Sequence, residues 1–191
     1  MPNPRAGRQM RYIPAKIQHR DDGGEPVIAC YFAVFNSPTE LWPGCIEQIA
    51  PGAFSSSLGG DIRALVDHET RLVLGRTTAG TLTLREDESG LYGEIKINPN
   101  DSDAMNLYAR VQRGDVSQCS FGFEIVSEDY IVGSDGQTCT WTIHDLILYE
   151  VSVVTFPAYE ATSAYARDAD DMASLRTCLL YTSDAADDSL R

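Results

Sequence analysis

Short β-rich segments, set close together and separated by turn residues, are the feature that most limits what this chain can become. Val27 to Phe35 is β-branched and aromatic and ends in the turn cluster Asn36-Ser37-Pro38. Ile62 to Val66 runs into Asp67-His68-Glu69. Thr81 to Leu84 and Leu91 to Ile97 flank Glu86 to Gly90, which reads as a hairpin. Two further strands are expected over 116–126 and 146–154, with Pro157 closing the second. Pro51 to Phe54 leads into a short helical turn over Ser55 to Leu58, halted by Gly59 and Gly60.

Only one segment has a clear helical period. Ala104, Leu107, Tyr108 and Val111 fall at i, i+3, i+4 and i+7, behind the cap cluster Asn100 to Asp103 and ahead of Gly114, which predicts a helix over about 102–113. The pair Asp101 and Asp103 lacks the glycine and glutamate that a calcium loop needs, so it reads as a cap. The expected fold is mainly β (α+β), a closed or nearly closed β-barrel flanked by a few helices.

Composition allows such a core: 43% of the 191 residues are hydrophobic and 23% charged. No apolar run approaches the ~20 residues of a membrane-spanning helix, so no membrane partner is expected. Residues 1–20 have no apolar h-region, so no secretory signal is read. They hold Arg5, Arg8, Arg11, Lys16 and Arg20 and no acid; the remainder sets ten basic against 28 acidic residues, a net of −18. So acidic a body repels phosphates, which argues against a nucleic-acid partner. The basic start reads as a solvated tail or an interaction arm.

Cys30, Cys45, Cys119, Cys139 and Cys178 contain no C-x-x-C pair, and His19, His68 and His144 are the histidines of the chain. That supports neither a disulfide framework nor zinc, and reduced, mostly buried cysteines are expected. Cys178 to Asp187 looks like the in-frame translation of a sequencing adapter, which makes 178–191 an expected scar to be excluded from fold reasoning.

Three segments could carry chemistry. On a strand over 116–126, Cys119, Phe121, Phe123 and Ile125 share the core face, and Ser120, Gly122 and Glu124 the opposite one. Ser120 then sits on a rigid element with a glycine two residues on that would let a substrate backbone come close, although the pattern alone favours an ordinary exposed serine. A serine nucleophile needs a base. His68 ends an apolar strand, His144 precedes the last strand, and His19 lies in the basic start; each also fits a surface histidine. Glu150 stands among apolar residues, so it is paired, at a cleft, or on the solvent side of an amphipathic strand.

Taken in order, Ala33-Val-Phe-Asn36 with Glu47 to Phe54, Asp67-His68-Glu69 with Leu74-Gly75, Ser89-Gly-Leu91, Ser120-Phe-Gly-Phe123, and Leu148 to Val154 with Pro157-Ala158 resemble the tailed-bacteriophage prohead maturation proteases, serine peptidases related to the herpesvirus assemblins. The resemblance covers about residues 28–166. It implies a serine endopeptidase with catalytic His68, Ser120 and Glu150, His144 being the alternative third member and Ser117 a lesser candidate for the serine. It also implies cleavage of the scaffold or major capsid protein precursor inside the assembling prohead, in the host cytoplasm, with self-processing, a possible homodimer and no cofactor or metal. The alternatives are a catalytically inactive assembly or scaffolding module of the same fold and a small-molecule esterase. The expected organisation is a basic arm over 1–25, the protease domain over 26–167, the start of a truncated tail over 168–177, and the scar.

Overall fold

The computed structural model describes residues 5, 7–14, 17–22 and 25–156. Pro157, Cys178 and the proposed tail and adapter segments lie outside the described residues.

A long antiparallel hairpin is the spine. Its strands, Gln118–Val132 and Cys139–Val154, bury Cys119, Phe121 and Phe123 on one side and Val151 and Val153 opposite them. Two shorter strands share the outer edge of the second of these, both parallel to it. Cys45–Ile49 lies beside its first third and Arg63–Val66 beside its end. Thr39–Trp42 pairs outside Cys45–Ile49, and Glu69–Arg76 pairs back on Arg63–Val66. The spine's other edge carries Arg8–Pro14. A second, antiparallel sheet holds, in spatial order, Gln18–Asp22, Glu25–Val34, Gly90–Lys96 and Leu82–Glu86. In chain order the strands are β1 (Arg8–Pro14), β2 (Gln18–Asp22), β3 (Glu25–Val34), β4 (Thr39–Trp42), β5 (Cys45–Ile49), β6 (Arg63–Val66), β7 (Glu69–Arg76), β8 (Leu82–Glu86), β9 (Gly90–Lys96), β10 (Gln118–Val132) and β11 (Cys139–Val154).

The two sheets share one core, with Ile28, Phe32, Leu91 and Ile95 of the second joining Phe121, Phe123 and Val151 of the first. Burying each such side chain contributes about 1.5–3 kcal/mol. Cys30 and Cys119 meet there, their sulfurs 3.0 Å apart, and burial followed by the neighbouring sulfur raises the Cys119 thiol pKa well above its ordinary value. α1 (Ser102–Arg113) inserts Ala104, Leu107, Tyr108 and Val111 into the same cluster. Asp101 caps it by accepting from the backbone N–H groups of Asp103 (2.9 Å) and Ala104 (3.2 Å), the role read from the sequence.

Three expectations need correction. The fold is mostly β, but the sheets do not close into a barrel. The outer edge of β11 is divided between β5 and β6, bulges interrupt the β10–β11 register, and among the described residues no ladder joins β1 to the second sheet. Nor do several helices flank it: among the described residues there is one α-helix and a short 3-10 turn, Thr77–Ala79. Second, residues 8–14 and 18–22 are paired strands rather than a solvated tail. Third, Cys45 and Cys139 form a disulfide, because the parallel β5–β11 register sets them side by side; a count of cysteines carries no such information.

Two outcomes test these contacts. Asp101→Ala should lower unfolding free energy in urea by about 1 kcal/mol. Intact-mass analysis under non-reducing conditions should show two hydrogens fewer than the all-thiol chain. Reduction should then lower thermal stability, since cross-linking a loop of this length is worth on the order of 4–5 kcal/mol by chain entropy.

Candidate active site

The spine hairpin sets the site by register. Ser120 lies directly opposite Ser152, and Gly122 opposite Glu150. Because Phe121 and Val151 point into the core, this second set shares the other face. β1 extends the rows, with Tyr12 opposite Ser120 and Met10 opposite Gly122.

His68 arrives from a different element. Val66 pairs with Glu69, so Asp67 and His68 are the two residues of a tight hairpin turn, both left-handed, at φ 47° and 61°. That matches the turn geometry favoured by the twist of hairpin strands, usually supplied by Asn-Gly or Asp-Gly. Here a histidine takes the glycine position, a cost tolerated more readily by Asn, Asp and His than by bulkier residues. Asp67 secures the turn: its carboxylate accepts from the Thr155 backbone N–H (2.7 Å) and hydroxyl (3.0 Å), and its own N–H donates to the Val153 carbonyl (3.1 Å). β6 beside the end of β11 thereby presents the imidazole to the Glu150–Ser152 face.

His68 Nδ1 lies 2.7 Å from Glu150 Oε1. A carboxylate has no proton to give, so Nδ1 is the donor, which in a neutral imidazole puts the lone pair on Nε2. Nε2 is buried and has no hydrogen-bond partner among the described residues. Ser152 donates to the other carboxylate oxygen, Oε2, at 2.6 Å and lies 3.3 Å from Nδ1. Glu150 is 2% exposed, so its charge depends on these partners and on Arg8, whose Nη2 is 3.7 Å from Oε1. The edge of the Tyr12 ring faces the imidazole, centroids 5.4 Å apart. Burial first, then the Glu150 and Asp67 charges, raise the Tyr12 phenol pKa.

Ser120 is fully buried rather than exposed, and its hydroxyl donates to the Arg11 backbone carbonyl at 2.9 Å. The structure therefore brings Ser120, Glu150 and His68 to one face while leaving the serine proton on β1. His144 is not part of this group: it is exposed, with Nε2 2.8 Å from Asp129. Ser117 is exposed just ahead of β10. His19 packs edge-on against Tyr108, 6.2 Å between centroids.

Gly122 has a role different from the expected one. A β-carbon there would collide with Glu150 Oε1, so the glycine makes room for the carboxylate. The alternation Glu150-x-Ser152 puts both on one strand face, but sequence reading gave Ser152 no part in the site. It also missed Tyr12 and Arg8, whose positions depend on a long-range strand pairing.

A serine, a histidine and a carboxylate collected on one sheet face are the side-chain set of serine-dependent acyl transfer. The family model described as caudovirus prohead serine protease matches residues 14–175, and the chain belongs to that family. The chain is 31% identical over 178 residues to the prohead protease of Enterobacteria phage HK97, a match covering 91% of this chain and 74% of that protein. Its fold is similar to the solved structure of the bacteriophage T4 capsid assembly protease, with a TM-score of 0.53 at 8% identity over 78% of this chain and 98% of that one.

Gly122→Ala should displace the Glu150 carboxylate without emptying the core. The expected outcome is a folded protein whose His68 imidazole nitrogen resonances move away from those of the parent in NMR spectra. Unchanged resonances would show that the carboxylate does not depend on the glycine.

Proposed function

We propose that the chain is a prohead maturation endopeptidase in which Ser120 is the nucleophile, His68 the general base and Glu150 the group that orients and stabilises the imidazole. The observation that carries this is the His68 Nδ1–Glu150 contact, 2.7 Å long, on the face that also bears Ser120. With Nδ1 committed to the carboxylate, Nε2 is the basic nitrogen able to take the serine proton as the oxygen attacks a peptide carbonyl. The resulting imidazolium gives that proton to the leaving amine, and water hydrolyses the acyl-enzyme by the same route. Ser152 steadies the second oxygen of Glu150, so the carboxylate is held from two sides.

The pairing of His144 with Asp129 favours Glu150 as the third member. Family membership supports the scaffold or the major capsid protein precursor as the substrate, cut inside the assembling prohead, with cleavage of the protease itself as a further event.

The test is incubation of the purified chain with the scaffold or capsid precursor of its own phage, followed by intact-mass analysis. Discrete fragments are expected from the parent and none from Ser120→Ala or His68→Ala. Glu150→Gln should slow cleavage by up to about 10⁴-fold, as loss of the orienting carboxylate does in other serine triads. His144→Ala should cleave like the parent. Cleavage by Ser120→Ala would overturn the assignment.

A further inference from the structure

We propose that the edge of β10 beside Ser120 is the docking edge for an extended, arginine-bearing substrate segment, and that β1 is its resident occupant, held there by the chain itself. This rests on the reading of Ser120 as nucleophile.

β1 touches each member of the candidate triad. The Arg11 carbonyl takes the Ser120 hydroxyl proton at 2.9 Å, the Tyr12 ring lies edge-on to His68, and Arg8 reaches toward Glu150. A serine hydroxyl has one proton to donate. That proton is engaged with Arg11, and Nε2 of His68 is buried with no hydrogen-bond partner among the described residues. Among the described residues β1 is also the terminal strand of its sheet, paired through its β10 edge alone. The family match starts at residue 14, so β1 precedes all but the first position of the matched region. Pairing an extended peptide on an exposed sheet edge beside the reacting group is a general means of holding a polypeptide substrate, main-chain bonds giving affinity and side-chain contacts selectivity.

The side-chain contacts define the chemistry of the occupant. Arg5 and Arg11 both bind the Glu47 carboxylate of β5, the latter through Nη2 at 2.8 Å. Arg5 also reaches Glu128 at 3.1 Å and stacks on Trp141, 4.5 Å from the ring centroid. Glu47, Glu128 and Trp141 belong to the body and stay when β1 leaves. Removing the Arg5 and Arg11 cations without replacement would strip the buried Glu47 carboxylate of both guanidinium partners. An incoming strand with arginines at matching positions restores the pairs; an acidic or neutral strand does not.

The experiment uses the full chain, the full-chain variant Arg5→Glu/Arg11→Glu, and a fluorescent peptide with the sequence of residues 5–14. Charge reversal should release β1. The peptide should then bind the variant at least about tenfold more tightly than the parent, whose tethered strand competes at high effective concentration. A peptide with both arginines replaced by glutamate should not bind. A fluorophosphonate probe should label Ser120 faster in the variant, and bound peptide should slow that labelling. Equal, weak peptide binding by both proteins overturns the proposal, whether or not Ser120 is labelled. Tight peptide binding with no labelling in either protein keeps the docking edge and removes the nucleophile assignment. Should the variant not fold, amide hydrogen exchange on the parent decides: β1 exchanging well before Phe121 and Phe123 supports a detachable strand, and exchange of all three together overturns it.

Discussion

The antiparallel register of β10 and β11 is the constraint on which the rest depends. Alternation along a strand sends Phe121, Phe123, Val151 and Val153 to the core and, by the same geometry, sends Ser120, Gly122, Glu150 and Ser152 to the other face. A one-residue slip of either strand would bury a carboxylate among phenylalanines, so the hydrophobic core itself enforces the chemical arrangement. Fold stability and the placement of Ser120, Gly122, Glu150 and Ser152 are two consequences of one pairing.

The imidazole is the element that register alone does not position. It is carried by a turn whose two residues are both left-handed, anchored to Thr155 and to the end of β11 by Asp67. The strain of a histidine at such a position is offset by these bonds and by the Glu150 contact, so the ring is oriented before any substrate arrives. Glu150 depends in turn on its partners: Ser152 on one oxygen, His68 and Arg8 about the other, and a glycine opposite that leaves the space. β1 completes the shell: its Arg11 carbonyl accepts the Ser120 hydroxyl, and Tyr12 and Arg8 stand beside His68 and Glu150.

Much of this was legible in one sequence where interactions are local. The helix over Ser102–Arg113, its Asp101 cap and the hairpin across 82–96 follow from residues a few positions apart, and they form as expected. The two faces of β10 were also readable from alternation. The closed barrel was not borne out, because whether strands close depends on which edges meet, and that is decided by partners as far apart in sequence as Arg8 and Glu124. The Cys45–Cys139 bond and the strand identity of residues 8–14 were hidden for the same reason.

By itself, then, the sequence determined the mostly β class, the helix and its cap, and which side chains of β10 share a face, all consequences of short-range sterics and local periodicity. Assembly of the site was decided only by the tertiary structure. His68 meets Glu150 across 82 positions and Ser120 meets Arg11 across 109. Such contacts form when a long-range register satisfies the whole core at once, a condition that no local pattern carries.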